Sequence, residues 1–175
     1  CDWSSDVCSS DLNEDILRHL KLINAITIFS FGVPFIHAGQ EYGMTKKMIG
    51  NSYNSGDDIN GFDYIMAKKR IDCINYLKDA IKLKKQLPFL SSDSKKEMTD
   101  HVTFENISNG CLLIRYRINE DDYYLFINPT GNTISYQFDN YAKVIFNEAG
   151  LLDDNHFSQL IMINKYSLAV AKVTR

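Results

Sequence analysis

The chain has 175 residues, 45% of them hydrophobic and 23% charged, with a formal net charge of −3. That length holds one domain with a sizeable core, or a small domain and part of another, and the composition is that of an ordinary soluble globular protein. The weak negative charge gives no electrostatic reason to expect nucleic acid or an anionic membrane as partner, and no apolar run reaches the ~18–20 residues of a membrane span.

Residues 1–12, CDWSSDVCSSDL, contain a near repeat and almost no apolar periodicity. They resemble translated sequencing-adapter DNA and are set apart from the fold as a sequencing artefact. The lack of an initiator Met is what a reading frame cut upstream would give, so this end does not report the compartment. Cys1, Cys8, Cys73 and Cys111 show neither CxxC nor Cys/His metal spacing. They read as free thiols of a reducing compartment, which slightly favours cytoplasm over secretion, and no metal site is expected.

Over residues 13–30, Ile16, Leu17, Leu20, Ile23, Ile26 and Ile28 recur at helical spacing, with Asn13 as cap and Glu14 and Asp15 in the first turn. Residues 31–38, FGVPFIHA, are apolar, too short for a helix and bounded by Gly32 and Gly39. They predict a strand buried on both faces, as in a parallel α/β sheet, and helix followed by buried strand is the rhythm of a (β/α) barrel. A polar loop rich in Asn, Ser, Gly and Asp runs from Gly39 to about Tyr64; following a strand's C-terminal end, it is expected to be functional. The next helix carries Ile71, Ile74, Leu77, Ile81 and Leu83 on one side. Lys69, Arg70, Lys78, Lys82, Lys84 and Lys85 are expected on its solvated face, and it stops before Pro88.

Residues 91–96, SSDSKK, form a polar linker and the best candidate domain boundary. Beyond it come short alternating runs at 101–105, 111–118, 123–128, 134–138, 143–147, 159–163 and 167–173. Turn signals at Asn109-Gly110, Gly131-Asn132 and Gly150 separate several of them, and this half predicts an antiparallel β-sandwich of about seven strands.

One stretch carries a resemblance. Residues 32–64 read GVPFIHAGQEYGMTKKMIGNSYNSGDDINGFDY. This closely resembles the eighth barrel strand and following loop of type I pullulanases of the α-amylase superfamily, whose pattern runs G-(I/V)-P-F-(L/I)-H-A-G-Q-E-F, then R-T-K, N-S-Y-N-S-P-D and I-N-x-x-D-W. Residues 76–90, YLKDAIKLKKQLPFL, resemble that family's next helix, Y-x-K-G-L-I-x-L-R-K-x-H-P-A-F. Departures are Tyr42 for phenylalanine, Met44 for arginine, Gly56 for proline and Tyr64 for tryptophan.

The resemblance implies an α/β plus all-β chain: the C-terminal part of a (β/α)8 barrel over residues 13–92, then the β-sandwich over 97–175. It implies hydrolysis of α-1,6-glucosidic linkages in pullulan, glycogen or limit dextrins, without a cofactor. A retaining glycosidase needs a nucleophilic carboxylate and an acid about 5 Å apart. By the family's order these, and a third stabilising carboxylate, precede Asn13, so no catalytic residue is expected in this chain and the chain alone is expected to be inactive. Asp57, Asp58 and Asp63 are not expected to replace them.

Sugar hydroxyls are gripped by planar polar groups and sugar rings by aromatic faces, so Asn51, Tyr53, Asn54 and Asp57, with Glu41 at the strand end, are the candidate substrate-binding residues for an α-glucan partner. Asn54 and Asn60 also suit a role in turning the loop, Glu41 suits an internal pair with a basic barrel residue, and His37 reads as a satisfied core histidine. Two rival readings stand beside this one: an isoamylase or glycogen-debranching relative, or a noncatalytic glucan-binding β-sandwich using tyrosines such as Tyr116, Tyr123, Tyr124 and Tyr136.

Overall fold

A computed structural model describes residues 13–91, 94–108, 110–153 and 155–174. The dozen residues set apart above, with Cys1 and Cys8, and Asn109 of one turn signal lie outside the described residues, as does part of the 91–96 linker.

Helix α1 (Glu14–Phe29) begins where its cap predicts: the Asn13 side chain accepts a hydrogen bond from the Ile16 amide at 2.9 Å. Its buried face is Leu22, Ala25, Ile28 and Phe29, with Asn24 beside them. Ile16 and Ile23, seven residues apart on another stripe, remain exposed because the rest of the described chain covers only one side of the helix.

Residues 33–38 are not a strand. They form no ladder and end in a turn at Ala38, with Val33 93% and Phe35 90% exposed, and His37 is exposed rather than a core histidine. A strand exists through its hydrogen-bonded neighbours, and none of the described strands pairs with this segment. Ile36 alone packs against the core from here.

Two short helices follow, α2 (Asp57–Asn60) and α3 (Tyr64–Lys69), the second capped by the Asp63 carboxylate on the Met66 amide. Helix α4 (Ile71–Gln86) then packs beside α1. Its buried face is Cys73, Tyr76, Leu77, Ala80 and Leu83, while Ile71 is exposed. Two of the basic residues expected on its solvated face are buried instead. Lys84 donates to the carbonyls of Ser30 and Gly32, both at 2.7 Å, satisfying acceptors that the end of α1 leaves open. Burial holds its ammonium below the ordinary lysine range. Arg70, at the junction of α3 and α4, is the other. A 3₁₀ turn at Pro88–Ser91 and helix α5 (Lys95–Asp100) lead into the sheet.

Seven antiparallel strands follow: β1 (Val102–Ser108), β2 (Cys111–Ile118), β3 (Asp121–Asn128), β4 (Ile134–Asn147), β5 (Gly150–Leu151), β6 (Phe157–Ile163) and β7 (Ser167–Thr174). They form one hydrogen-bonded, sandwich-like sheet in the order β1-β2-β3-β7-β4-β5, with β6 also on β4. Period-two alternation divides its side chains between two clusters. Tyr116, Leu125, Leu168, Val170 and Phe146 meet α1 and α4. Leu113, Tyr124, Phe126, Ala169, Ala171 and Val173 meet Phe138, Ala142, Ile161 and Ile163 on the other face. In that second cluster the rings of Tyr124 and Phe138 stand 5.0 Å apart, as do those of Phe126 and Tyr136, although β7 lies between β3 and β4. Ala169 and Ala171 on β7 leave the room for this.

The helices are tied to the sheet at one further point. The Asp79 carboxylate of α4 accepts from the Leu151 amide at 3.2 Å, and Gly150, at φ 104°, has no space for a Cβ beside it. Cys73 and Cys111 are buried free thiols, which burial pushes up in pKa. Among the described residues no helix is long and apolar enough to cross a membrane.

Candidate functional site

The polar loop is built in two tiers. Its base is a 3₁₀ turn, Gln40–Tyr42, between Gly39 and Gly43, both in the left-handed region at φ 91° and 69°. At Gly39 an added Cβ would stand 2.7 Å from Cβ of Met44, so both the conformation and the space call for glycine.

Two helices pin this base from different directions. Buried Asn24 of α1 accepts from Gln40 Nε2 at 2.8 Å and donates to the Gln40 carbonyl at 3.4 Å. The Gln40 Oε1 in turn accepts from the His37 amide at 3.3 Å. From the other side the buried Arg70 guanidinium donates to the Tyr42 carbonyl at 2.8 Å and to that of Gly43 at 3.4 Å. Tyr42 is buried, and burial raises its phenol. Glu41 makes no ion pair with a basic residue among the described residues; its carboxylate accepts from the Gly39 amide at 2.9 Å and closes its own turn.

The upper tier runs from Thr45 to Asp63. Here Asn60 is the internal brace: its Nδ2 donates to the carbonyls of Ser52 at 2.6 Å and Ser55 at 2.8 Å, and its Oδ1 accepts from Lys46 Nζ at 3.2 Å. Ile59 is the buried apolar residue of α2. The remaining candidates, Asn51, Tyr53, Asn54 and Asp57, are exposed, Tyr53 to 83%. The loop-turning role that Asn60 suits by sequence is the one it has here, whereas Asn24 and Arg70, which pin the base, were not among the residues singled out for the loop. Asn24 carried a signal, since it lies one helical turn before buried Ile28 and so shares a face with it. Arg70 carried none.

These exposed groups suit a hydroxyl-rich ligand chemically. Concavities of the described body lie away from them: one of about 290 Å³ between α4 and the sheet around Leu83, Tyr123 and Lys172, one of about 260 Å³ around Phe31, Phe89 and Tyr116, and one of about 200 Å³ between α1 and α4. Of the sheet tyrosines considered for a sugar-binding surface, Tyr136 is half-buried against the second cluster. Tyr116 and Tyr124 are core residues, and Tyr123 packs under Phe89 with ring centroids 5.3 Å apart. Among the described residues no group of three or more His, Cys, Asp or Glu side chains is placed to hold a metal ion.

Over 102 residues the chain is 33% identical to the pullulanase of Bacillus subtilis (strain 168), across 58% of this chain and 14% of that protein. The chain is related to the pullulanases. Pullulanase A of Streptococcus pneumoniae serotype 2 (strain D39 / NCTC 7466) aligns with 88% of the pullulanase-related chain at 24% identity, over 16% of its own length. The fold agrees. The pullulanase from Bacillus acidopullulyticus superposes with a TM-score of 0.86 at 20% identity, covering 94% of this chain and 21% of that one. The type I pullulanase of Bacillus subtilis str. 168, complexed with maltose, gives 0.84 at 21% identity, covering 94% and 24%. This pullulanase-related chain therefore spans 14% to 24% of the length of these relatives. No family model matches it.

Proposed function

We propose that the intact protein bearing this chain is a debranching glycosidase that hydrolyses α-1,6-glucosidic linkages in pullulan, glycogen or limit dextrins. In this reading residues 13–92 close a (β/α)8 barrel, residues 97–175 cover its flank, and the loop from Gly39 to Tyr64 borders the substrate cleft. The likeness to pullulanases in sequence and fold is the observation that carries it. The ligand class follows the relatives, one solved with maltose and another, from Anoxybacillus sp. LM18-11, with maltotetraose.

Exposed apolar side chains support the barrel part. Val33 and Phe35, with Ile16 and Ile23 on α1 and Ile65 on α3, present surface that a globular protein ordinarily covers. Barrel strands are paired on both sides, and neighbouring strands would satisfy the backbone of residues 33–38. The loop would then stand at the C-terminal mouth of the barrel, where such folds keep their active sites. The carboxylates that attack and protonate the glycosidic bond would come from segments before Asn13, leaving Asn51, Tyr53, Asn54, Asp57 and Glu41 to bind rather than to cleave.

The test is pullulan hydrolysis by the full-length protein recovered from the extended reading frame, followed as new reducing ends. Turnover is expected from the full-length protein and none from the 175-residue chain. Tyr53→Ala combined with Asp57→Ala should raise KM roughly tenfold or more, the loss of one stacking face and one charged hydrogen-bonding group. A full-length protein that leaves pullulan intact, or a double variant with unchanged KM, would remove the assignment.

A further inference from the structure

We infer that Asn60, oriented by Lys46, is the positioning residue that holds the sugar-facing edge of the loop in one conformation. The inference rests on the reading that this loop meets an α-glucan.

Asn51, Tyr53, Asn54 and Asp57 sit on an exposed stretch whose only regular element is the single turn of α2. A ligand that needs all of them at once binds only the fraction of molecules in which the backbone presents them together, and its apparent affinity falls with that fraction. Something must therefore restrict the stretch beforehand.

Asn60 is built to do so. Its two acceptors, the carbonyls of Ser52 and Ser55, lie on either side of Tyr53 and Asn54, so one amide group fixes both ends of the turn that displays them. The Ser55 amide closes the same turn onto the Ser52 carbonyl at 3.0 Å. Asn60 itself is footed by its amide on the Gly56 carbonyl at 3.0 Å and by the buried side chain of its neighbour Ile59. Lys46, arriving from the opposite limb of the loop, decides which way the amide faces, because an ammonium accepts nothing and can meet only the Oδ1. Both Nδ2 hydrogens are then committed to carbonyls. Asn60 has no donor left for a sugar, and its effect on ligand passes through Tyr53 and Asn54.

The experiment uses the full-length enzyme with Asn60→Ala, Lys46→Met and Lys46→Arg, read by KM and kcat on pullulan and by hydrogen exchange at the Ser55 and Ile59 amides. Asn60→Ala should raise KM roughly tenfold with kcat within about twofold, and speed exchange at Ser55 roughly tenfold or more. Lys46→Met should follow in the same direction by a smaller factor, and Lys46→Arg, which keeps a cationic donor, should stay near wild type. Unchanged KM in Asn60→Ala overturns the inference, even if exchange quickens. So does a fall in kcat as large as the rise in KM. If the wild-type enzyme proves inactive on pullulan, the proposed function fails first; exchange then decides the brace, and an unchanged Ser55 amide overturns it.

Discussion

Replacing Asn128 by aspartate should cost about 3–5 kcal/mol of folding stability at neutral pH, measured by denaturant unfolding. Asn128 is 0% exposed and joins two turns at one end of the sheet. Its Nδ2 donates to the carbonyls of Asn132 at 2.8 Å, Asn164 at 2.9 Å and Ile163 at 3.2 Å. Its Oδ1 accepts from the amide and hydroxyl of Thr130, at 3.0 and 2.8 Å, and from the Cys111 thiol at 3.2 Å. Aspartate has the same shape but turns the donor into an acceptor, so a carboxylate oxygen would face three carbonyls. The new carboxyl would be favoured in its protonated form by folding, which raises its pKa above the unfolded ~3.9. The penalty is thus full at neutral pH and shrinks as pH falls toward 4, when the acid regains one donor. A uniform loss across that range would show that shape rather than hydrogen bonding governs the position. Against a total stability of about 5–15 kcal/mol for a typical domain, this single change approaches the threshold of unfolding.

The second large effect is expected at Arg115. Asp122 of β3 is 1% exposed, and its carboxylate accepts a hydrogen bond from Arg115 Nη2, while Nε of Arg117, its register partner on β2, is 3.9 Å away. Hydrogen bonding to Asp122 pushes the Arg115 guanidinium further up, and its Cζ lies 5.2 Å from the Tyr124 ring centroid. Arg115→Met keeps the stem but withdraws the nearer cation from a carboxylate that water hardly reaches, which should cost about 3 kcal/mol. Arg117→Met removes a long contact from a largely exposed side chain and should cost under about 1 kcal/mol. Equal losses in the two variants, by the same unfolding measurement, would mean that the pair is not the source of the difference.

How much of this was readable in advance differs by element. The two long helices were legible because period and cap coincide: Asn13 starts α1 and Pro88 follows the end of α4. The strands were legible from alternation, but residues 134–138 and 143–147 are one strand, β4. The polar residues between them make a register shift between Gln137 and Ala142 rather than a turn, and a bulge leaves the same polar trace in a sequence as a break. Residues 33–38 carried the composition of a buried strand without being one, because pairing belongs to the neighbours and not to the segment. Lys84 and Arg70 looked like solvated charge; the carbonyls that draw them inward come from other parts of the chain and leave no mark on the helix's own period. At the candidate site the exposed side chains were legible as residue types and Asn60 as a loop-turning residue, whereas the Asn24 amide and the Arg70 guanidinium that pin the base were not.

The barrel reading turns on residues 33–38, and hydrogen exchange at the amides of Val33, Phe35 and Ile36 tests it most directly. In the 175-residue chain these amides have no ladder and should exchange close to the rate of an open peptide. In the full-length protein, paired on both sides as a barrel strand, they should be slowed about a thousandfold or more. Rapid exchange in both, or strong protection already in the shorter chain, would contradict the account.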